Sequence, residues 1–154
     1  MQHRIRIAAI IINSDKILLV KHVHPDTGYT WWVPPGGGIE ESDSSIFDCA
    51  KRESFEETNL KIETSRILYI REFYSKETQI LNIKLFTLAD SFHGEIGLEN
   101  IRGKGPDELF IKGVAWFSKE DLKDVIVFPE ILRDEFWDDC AAGFPNTKYL
   151  GRKI

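Results

Sequence analysis

The 154-residue sequence is 42% hydrophobic and 29% charged. That profile fits one compact domain, residues 1–154, burying roughly 70% of its unfolded surface, and argues against collagen, coiled-coil array or disordered tail. Twenty Lys and Arg against twenty-five Asp and Glu give a net charge of −5, so no polymeric nucleic acid held by bulk positive charge is expected. The excess is local: from Gly38 to Leu60 stand Glu40, Glu41, Asp43, Asp48, Glu53, Glu56 and Glu57 against only Lys51 and Arg52, while the rest is neutral.

The β-branched run Ile5 to Ile12, the polar Asn13-Ser14-Asp15 and the apolar Ile17 to Val20 predict a hairpin. The early apolar run is too short for a membrane span or a secretory segment, so a soluble, cytoplasmic protein is expected. Residues His22 to Thr30 carry Pro25 and Gly28 and predict a loop ahead of an extended Trp31-Trp32-Val33. The stretch Pro34-Pro35-Gly36-Gly37-Gly38 then predicts an irregular loop open to close backbone approach. From Ser44 to Thr58 there is no Gly or Pro, and the apolar spacing predicts a helix of about four turns.

Lys61 to Tyr74 and Thr78 to Leu88 predict a long antiparallel pair turning at Ser75-Lys76-Glu77. A polar loop at Gly103 to Asp107, a strand from Leu109 to Phe117, and a short helix from Ser118 through Leu122 follow. Pro129 is placed to open a final helix bearing Ile131, Leu132, Phe136 and Trp137, which Gly143 to Pro145 end. Strands on both sides of a helix predict an α/β (α+β) sandwich. Cys49 and Cys140 are expected to be free thiols.

On the predicted helix, Glu53, Glu56 and Glu57 stand at i, i+3 and i+4, so three carboxylates share a face. Their mutual repulsion, roughly 0.2–0.5 kcal/mol per pair, would be relieved by a hard cation such as Mg²⁺ or Mn²⁺ shared with a phosphate-bearing ligand. A solvated acidic face is the other reading of such a cluster. The Gly-rich loop could lend a carbonyl to the cation or amides to phosphate.

Taken together, these residues resemble the Nudix (MutT-like) hydrolase signature: Gly, five residues, Glu, seven residues, Arg-Glu, an apolar residue, any residue, Glu-Glu, any residue, Gly and an apolar residue. Gly38, Arg52-Glu53, Glu56-Glu57 and Leu60 match in register over 23 residues. Residues Trp31 to Glu40 look like the family's entry loop, and Asp107-Glu108 with Ala115-Trp116-Phe117 resembles its later strand. Three positions depart: Ser44 stands for the first glutamate, Ser54 for the apolar residue and Asn59 for the second glycine. Asn59 tolerates the left-handed conformation that ends helices, and Phe47 or Phe55 could offset Ser54, unless they serve a dimer contact. Ser44 removes an acid that in the family helps hold metal or orient the other acids, with Asp43 or Glu41 as substitutes.

The resemblance implies an α/β/α sandwich with a mixed sheet. It implies Mg²⁺- (or Mn²⁺-) dependent attack of water on a nucleoside diphosphate linked to another moiety, favouring a nucleoside triphosphate or small nucleoside-diphosphate derivative. Metal ligands would be Gly38 (carbonyl), Glu53, Glu56 and Glu57. Glu53 doubles as a base candidate and Arg52 orients the acids. Glu108 is a further base or metal candidate, or an exposed strand-end acid. Arg4, Arg6 and Lys21 could meet phosphate or be surface cations, and Trp31 and Trp32 could stack on a base or pack in the core. His22 and His24 read as solvated, and Cys49 as packing. A nucleotide-binding or regulatory module on a catalytically weakened scaffold is the alternative that Ser44 raises. No membrane association is expected, and the chain could be monomer or homodimer.

Overall fold

The computed structural model describes residues 1–103 and 105–154. The chain runs through β1 (Gln2–Ile10), β2 (Ile12–Asn13), β3 (Lys16–Val23), β4 (Thr30–Val33), β5 (Gly36–Gly38), α1 (Ile46–Thr58), β6 (Lys61–Ser75) and β7 (Ile80–His93). It continues through α2 (Pro106–Phe110), β8 (Ile111–Phe117), single 3₁₀ turns at Asp121–Asp124 and Glu130–Arg133, α3 (Glu135–Ala141) and β9 (Lys148–Lys153).

Two sheets form. The larger has the order β5-β1-β7-β6-β9 and is mixed: β1 is antiparallel to β5 and parallel to β7, and β6 is antiparallel to β7 and parallel to β9. The smaller is antiparallel and centres on β3, which pairs β2, β4 and β8. Period-two alternation along β1 supplies both layers of core. Ile7 and Ala9 join Leu18, Cys49 and Ala50 under α1. Ala8 and Ile10 join Leu19, Phe86, Leu132 and Phe136 under α3. The expected α/β/α sandwich with a mixed sheet is what forms.

Helix α1 starts where Ser45 accepts from the Asp48 amide at 3.2 Å and ends at Asn59, whose φ of 68° is left-handed. Ser45 is the cap, so the helix begins at Ile46, two residues after the start predicted at Ser44.

Five expectations are corrected. The predicted hairpin narrows to Ile12 and Asn13 against Ile17 and Lys16, because β1 pairs instead with β5 and β7. The triple glycine is an edge strand, because its extended backbone pairs with Arg6 to Ala8; a Cβ on Gly36 would lie 2.3 Å from the Ile7 carbonyl, so only glycine can pair there. The strand predicted from Leu109 begins at Ile111, because Pro106 at the first position and Asp107 and Glu108 in the first turn favour a helical turn. The predicted loop 103–107 includes Lys104, which lies outside the described residues. The helix expected after Pro129 breaks at Asp134, whose backbone leaves helical geometry and whose carboxylate accepts from the Glu135 amide to start α3. Strand β9 was not anticipated: Lys148 to Lys153 is polar, contains Gly151 and lies at a sheet edge, where no apolar alternation is required. The short helix after Ser118 is reduced to the 3₁₀ turn, with Ser118 and Asp121 exchanging backbone-to-side-chain hydrogen bonds.

Candidate active site

Strand β5 has one edge on β1 and one edge free. Along the free edge α1 lays its polar face, since Gly36 donates its amide to Glu57 Oε1 at 3.1 Å and the Gly38 carbonyl accepts from Arg52 Nη2 at 3.1 Å. The guanidinium of Arg52 is the hub. Its Nε and Nη2 grip both oxygens of Asp43 at 2.9 and 2.8 Å, and its Nη1 donates to Glu53 Oε1 at 2.9 Å and to Glu56 Oε2 at 3.4 Å. This fork holds Asp43 down to a pKa of about 2 and raises that of Arg52 itself.

Opposite this hub, Glu53, Glu57 and Asp107 converge, with carboxylate oxygens within 4.8 Å of one another. Glu53 and Glu57 are buried, and Glu53 Oε2 has no hydrogen-bond partner. Burial raises the carboxyl of Glu53 and, with the charge of Glu53 added, lifts that of Glu57 well above the usual range. Burial also raises that of Asp107. Buried, mutually repelling carboxylates with an orphaned oxygen are costly as they stand. All are hard oxygen donors, which suits Mg²⁺ or Mn²⁺ and not a soft metal.

A cavity of about 540 Å³ is lined by the aromatic rings of Trp31, Phe73, Phe86 and Phe128 and by the cations Arg71 and Lys84. A smaller one of about 280 Å³ adjoins it, sharing Arg71, Phe73 and Lys84 and adding Arg6 and Asn82. Glu53, Glu57 and Asp107 are not among the residues lining either cavity, but the charges of Glu57 and Glu53 act on Lys84 and that of Arg6 acts on Asp107, so the cations link the acids to the cleft.

The NUDIX domain model matches residues 2–134. The chain belongs to the Nudix family. An uncharacterized Nudix hydrolase, YvcI, of Bacillus subtilis is 29% identical over 123 residues, 78% of this chain and 69% of that protein. Among solved structures, the E. coli ORF135 protein superposes with TM-score 0.71 at 20% identity, covering 95% of this chain and 96% of that one. The MutT Nudix hydrolase from Burkholderia pseudomallei gives 0.68 at 24% identity, covering 88% and 98%. Family and fold agree with the resemblance read from the motif, and the enzyme class is that of a pyrophosphatase-type Nudix hydrolase.

Within this Nudix framework the sequence candidates separate. Arg52, Glu53, Glu56 and Glu57 are brought together as the motif requires. Glu56 lies on the Arg52 side, and the cluster's third acid is Asp107. Glu108, one residue away, is exposed and accepts from the Gly103 amide; it stands outside the cluster because the α2 turn points the two neighbours apart. The Gly38 carbonyl is engaged by Arg52. Arg6 lines the cleft, whereas Arg4 is exposed on the same strand and Lys21 lies on β3 between Trp32 and Gly113. Trp31 walls the cavity, stacked on His22 at 5.3 Å, while Trp32 packs edge-on against Phe117 in the core. His22 is half-buried against Trp31, not solvated, and burial lowers its pKa to about 4. Cys49 is buried, free and raised to about 12 by that burial, consistent with packing. Ser54 is wholly buried with its hydroxyl unpartnered, and Phe55 is on the surface under the Lys61 ammonium.

Sequence reading missed Lys84, Arg71, Phe73 and Phe128. A signal existed for Lys84, a lone cation in the apolar stretch Ile83-Lys84-Leu85-Phe86, but strand period alone does not say which face meets a ligand.

Proposed function

We propose that this chain hydrolyses the phosphoanhydride of a nucleoside diphosphate linked to another moiety, in a reaction dependent on Mg²⁺ or Mn²⁺, favouring a nucleoside triphosphate or small nucleoside-diphosphate derivative. The observation that carries this reading is the convergence of Glu53, Glu57 and Asp107, with the unpartnered Glu53 oxygen, within electrostatic reach of Lys84 in a cationic, aromatic-lined cleft. Glu53, Glu57 and Asp107 would hold the divalent ion. When bound, that ion supplies charge neutralisation and Lewis-acid polarisation of a phosphoryl oxygen.

The chain's own groups do the rest. Arg52 fixes the orientation of Glu53 and Glu56 through its fork on Asp43. Lys84 and Arg6 offer donors to phosphate oxygens. Trp31, Phe73 and Phe128 offer stacking surface to a base and exclude water. Glu53 stands within the cluster and Glu108 outside it, so Glu53 is the group assigned to accept the proton of the attacking water. Asp43 supports the enzyme reading over the weakened-scaffold alternative, because it supplies Arg52 with the acidic partner that Ser44 cannot.

The test is a panel of nucleoside triphosphates, nucleotide sugars and dinucleoside polyphosphates with each metal, followed by product analysis. Turnover is expected with Mg²⁺ or Mn²⁺ and none in EDTA. Glu57→Gln should lower kcat/KM by about 10²-fold or more, since several kcal/mol of transition-state stabilisation depend on the ion it helps hold. Absence of phosphate-containing product from every substrate would overturn the proposal.

A further inference from the structure

The cleft's cations lie in strand register. Across the sheet, Gly38 of β5 pairs Arg6 of β1, Arg6 pairs Lys84 of β7, and Lys84 pairs Arg71 of β6. One row therefore starts at the edge where the acids converge and crosses three further strands, with Arg6 and Arg71 about 10 Å apart by the interstrand spacing. Adjacent like charges in register are unfavourable, and among the described residues Arg71 is the one member of the row that makes an ion pair. Arg71 pairs Glu130 at 3.1 Å, but its Nε is buried without a hydrogen-bond partner. Among the described residues neither Arg6 nor Lys84 makes an ion pair; the Lys84 ammonium stands 5.4 Å from the Phe86 ring centroid. Burial first, then the charge of Arg6, lowers the pKa of Lys84 to about 8, against the opposing pull of the Glu57 and Glu53 carboxylates.

The chemistry of the row selects its ligand. Arg and Lys are donors only, so the row matches a group that only accepts. A sugar presents hydroxyls that also donate, and those would leave the row's charge unanswered. A single phosphate cannot span the distance. We propose that Arg6, Lys84 and Arg71 form a track for a polyphosphate chain, so that the substrate is a nucleotide with at least three consecutive phosphates in preference to a nucleotide sugar. The substrate assignment rests on the hydrolase reading above; the track does not, because its cations bind phosphate without metal.

The test has two arms. Calorimetry in EDTA with inorganic tripolyphosphate and orthophosphate reads the track alone. Tripolyphosphate should bind at least tenfold more tightly than orthophosphate. Lys84→Met and Arg6→Met, each checked for folding by thermal melting, should weaken tripolyphosphate at least tenfold, and Glu57→Gln should not weaken it. Kinetics with matched pairs, ATP against ADP-ribose and UTP against UDP-glucose, read the substrate class. The wild type should favour the triphosphate in both pairs at least tenfold in kcat/KM, and Lys84→Met should shrink that preference. No metal-free tripolyphosphate binding, binding unchanged in both cation variants, or nucleotide sugars cleaved as well as triphosphates would each overturn the proposal. Track-dependent binding with no turnover of any substrate would overturn the hydrolase reading and leave the track standing.

Discussion

Arg52 can order the acids of α1 only if it is itself held, and Asp43 holds it. The signature's glutamate falls on Ser44, yet the residue before it reaches the same guanidinium from the loop ahead of α1, in a bidentate contact at 2.8 and 2.9 Å. Asp43 also accepts from the Glu40 amide at 2.9 Å, which fixes the loop's path and aims its carboxylate. Asp43→Asn should destabilise the protein at neutral pH by about 1 kcal/mol, the scale of a charge-assisted hydrogen bond near the surface. The folded pKa, about 2, lies below the ordinary aspartate value of 3.8. The stabilisation is therefore complete above the unfolded value and is lost as pH falls through the folded one. Urea unfolding of wild type and variant should show a gap that is constant from pH 7 to about 5 and narrows below 4; a gap independent of pH would show that the ion pair is not its source.

At the scale of elements, β5 and α1 build the site between them. The strand's inner edge pairs with β1, and its outer edge receives Glu57 and Arg52. A Cβ on Gly37 would lie 2.4 Å from Glu53 Oε1, whereas one on Gly38 would meet nothing within 4 Å. Gly37→Ala should thus push Glu53 out of the cluster and lower kcat/KM by about 10²-fold, the cost of a displacement near 1 Å at a reacting centre. Gly38→Ala should fold with unchanged melting temperature, and equal activity of the two variants would contradict the argument. The same pair of elements shows what the sequence made legible. Helix α1 was readable because cap, periodicity and the left-handed Asn59 are local signals. The glycine strand was not, because what makes it a strand is close approach to β1, a contact between distant segments. Asp107 was missed for Glu108 on similar grounds: which neighbour faces the cluster depends on the α2 turn, not on the order of two acids in sequence. The charge excess of the Gly38 to Leu60 segment was legible as a cation site. The cation row was invisible, since Arg6, Lys84 and Arg71 are brought together only by strand register.

On the scale of the whole molecule, the net charge of −5 divides into two opposed surfaces meeting at β5: acids along its outer edge and cations across the sheet behind it. The acids tie site chemistry to global stability. Burial raises the folded pKa of Glu53, Glu57 and Asp107, so as pH rises past their unfolded values the unfolded chain releases these protons first and folding becomes less favourable. A divalent ion needs the same carboxylates ionised, so its binding expels protons and strengthens with pH. His22, lowered to about 4 by burial, acts in the opposite sense between about pH 4 and 6.5, but equally with and without the ion, and cancels in the difference. The rise in melting temperature on adding Mg²⁺ should therefore grow from pH 5.5 to pH 8. At a concentration about 100 times Kd it should be worth about 2.7 kcal/mol, or about 5–10 °C for a domain of this size. Glu57→Gln should melt higher than wild type in EDTA at pH 8, because it removes a buried charge, and should lose most of the Mg²⁺ response. Scanning calorimetry over that pH range decides it: a Mg²⁺ shift that is flat with pH, or retained in Glu57→Gln, would mean the ion binds elsewhere than at the buried acids.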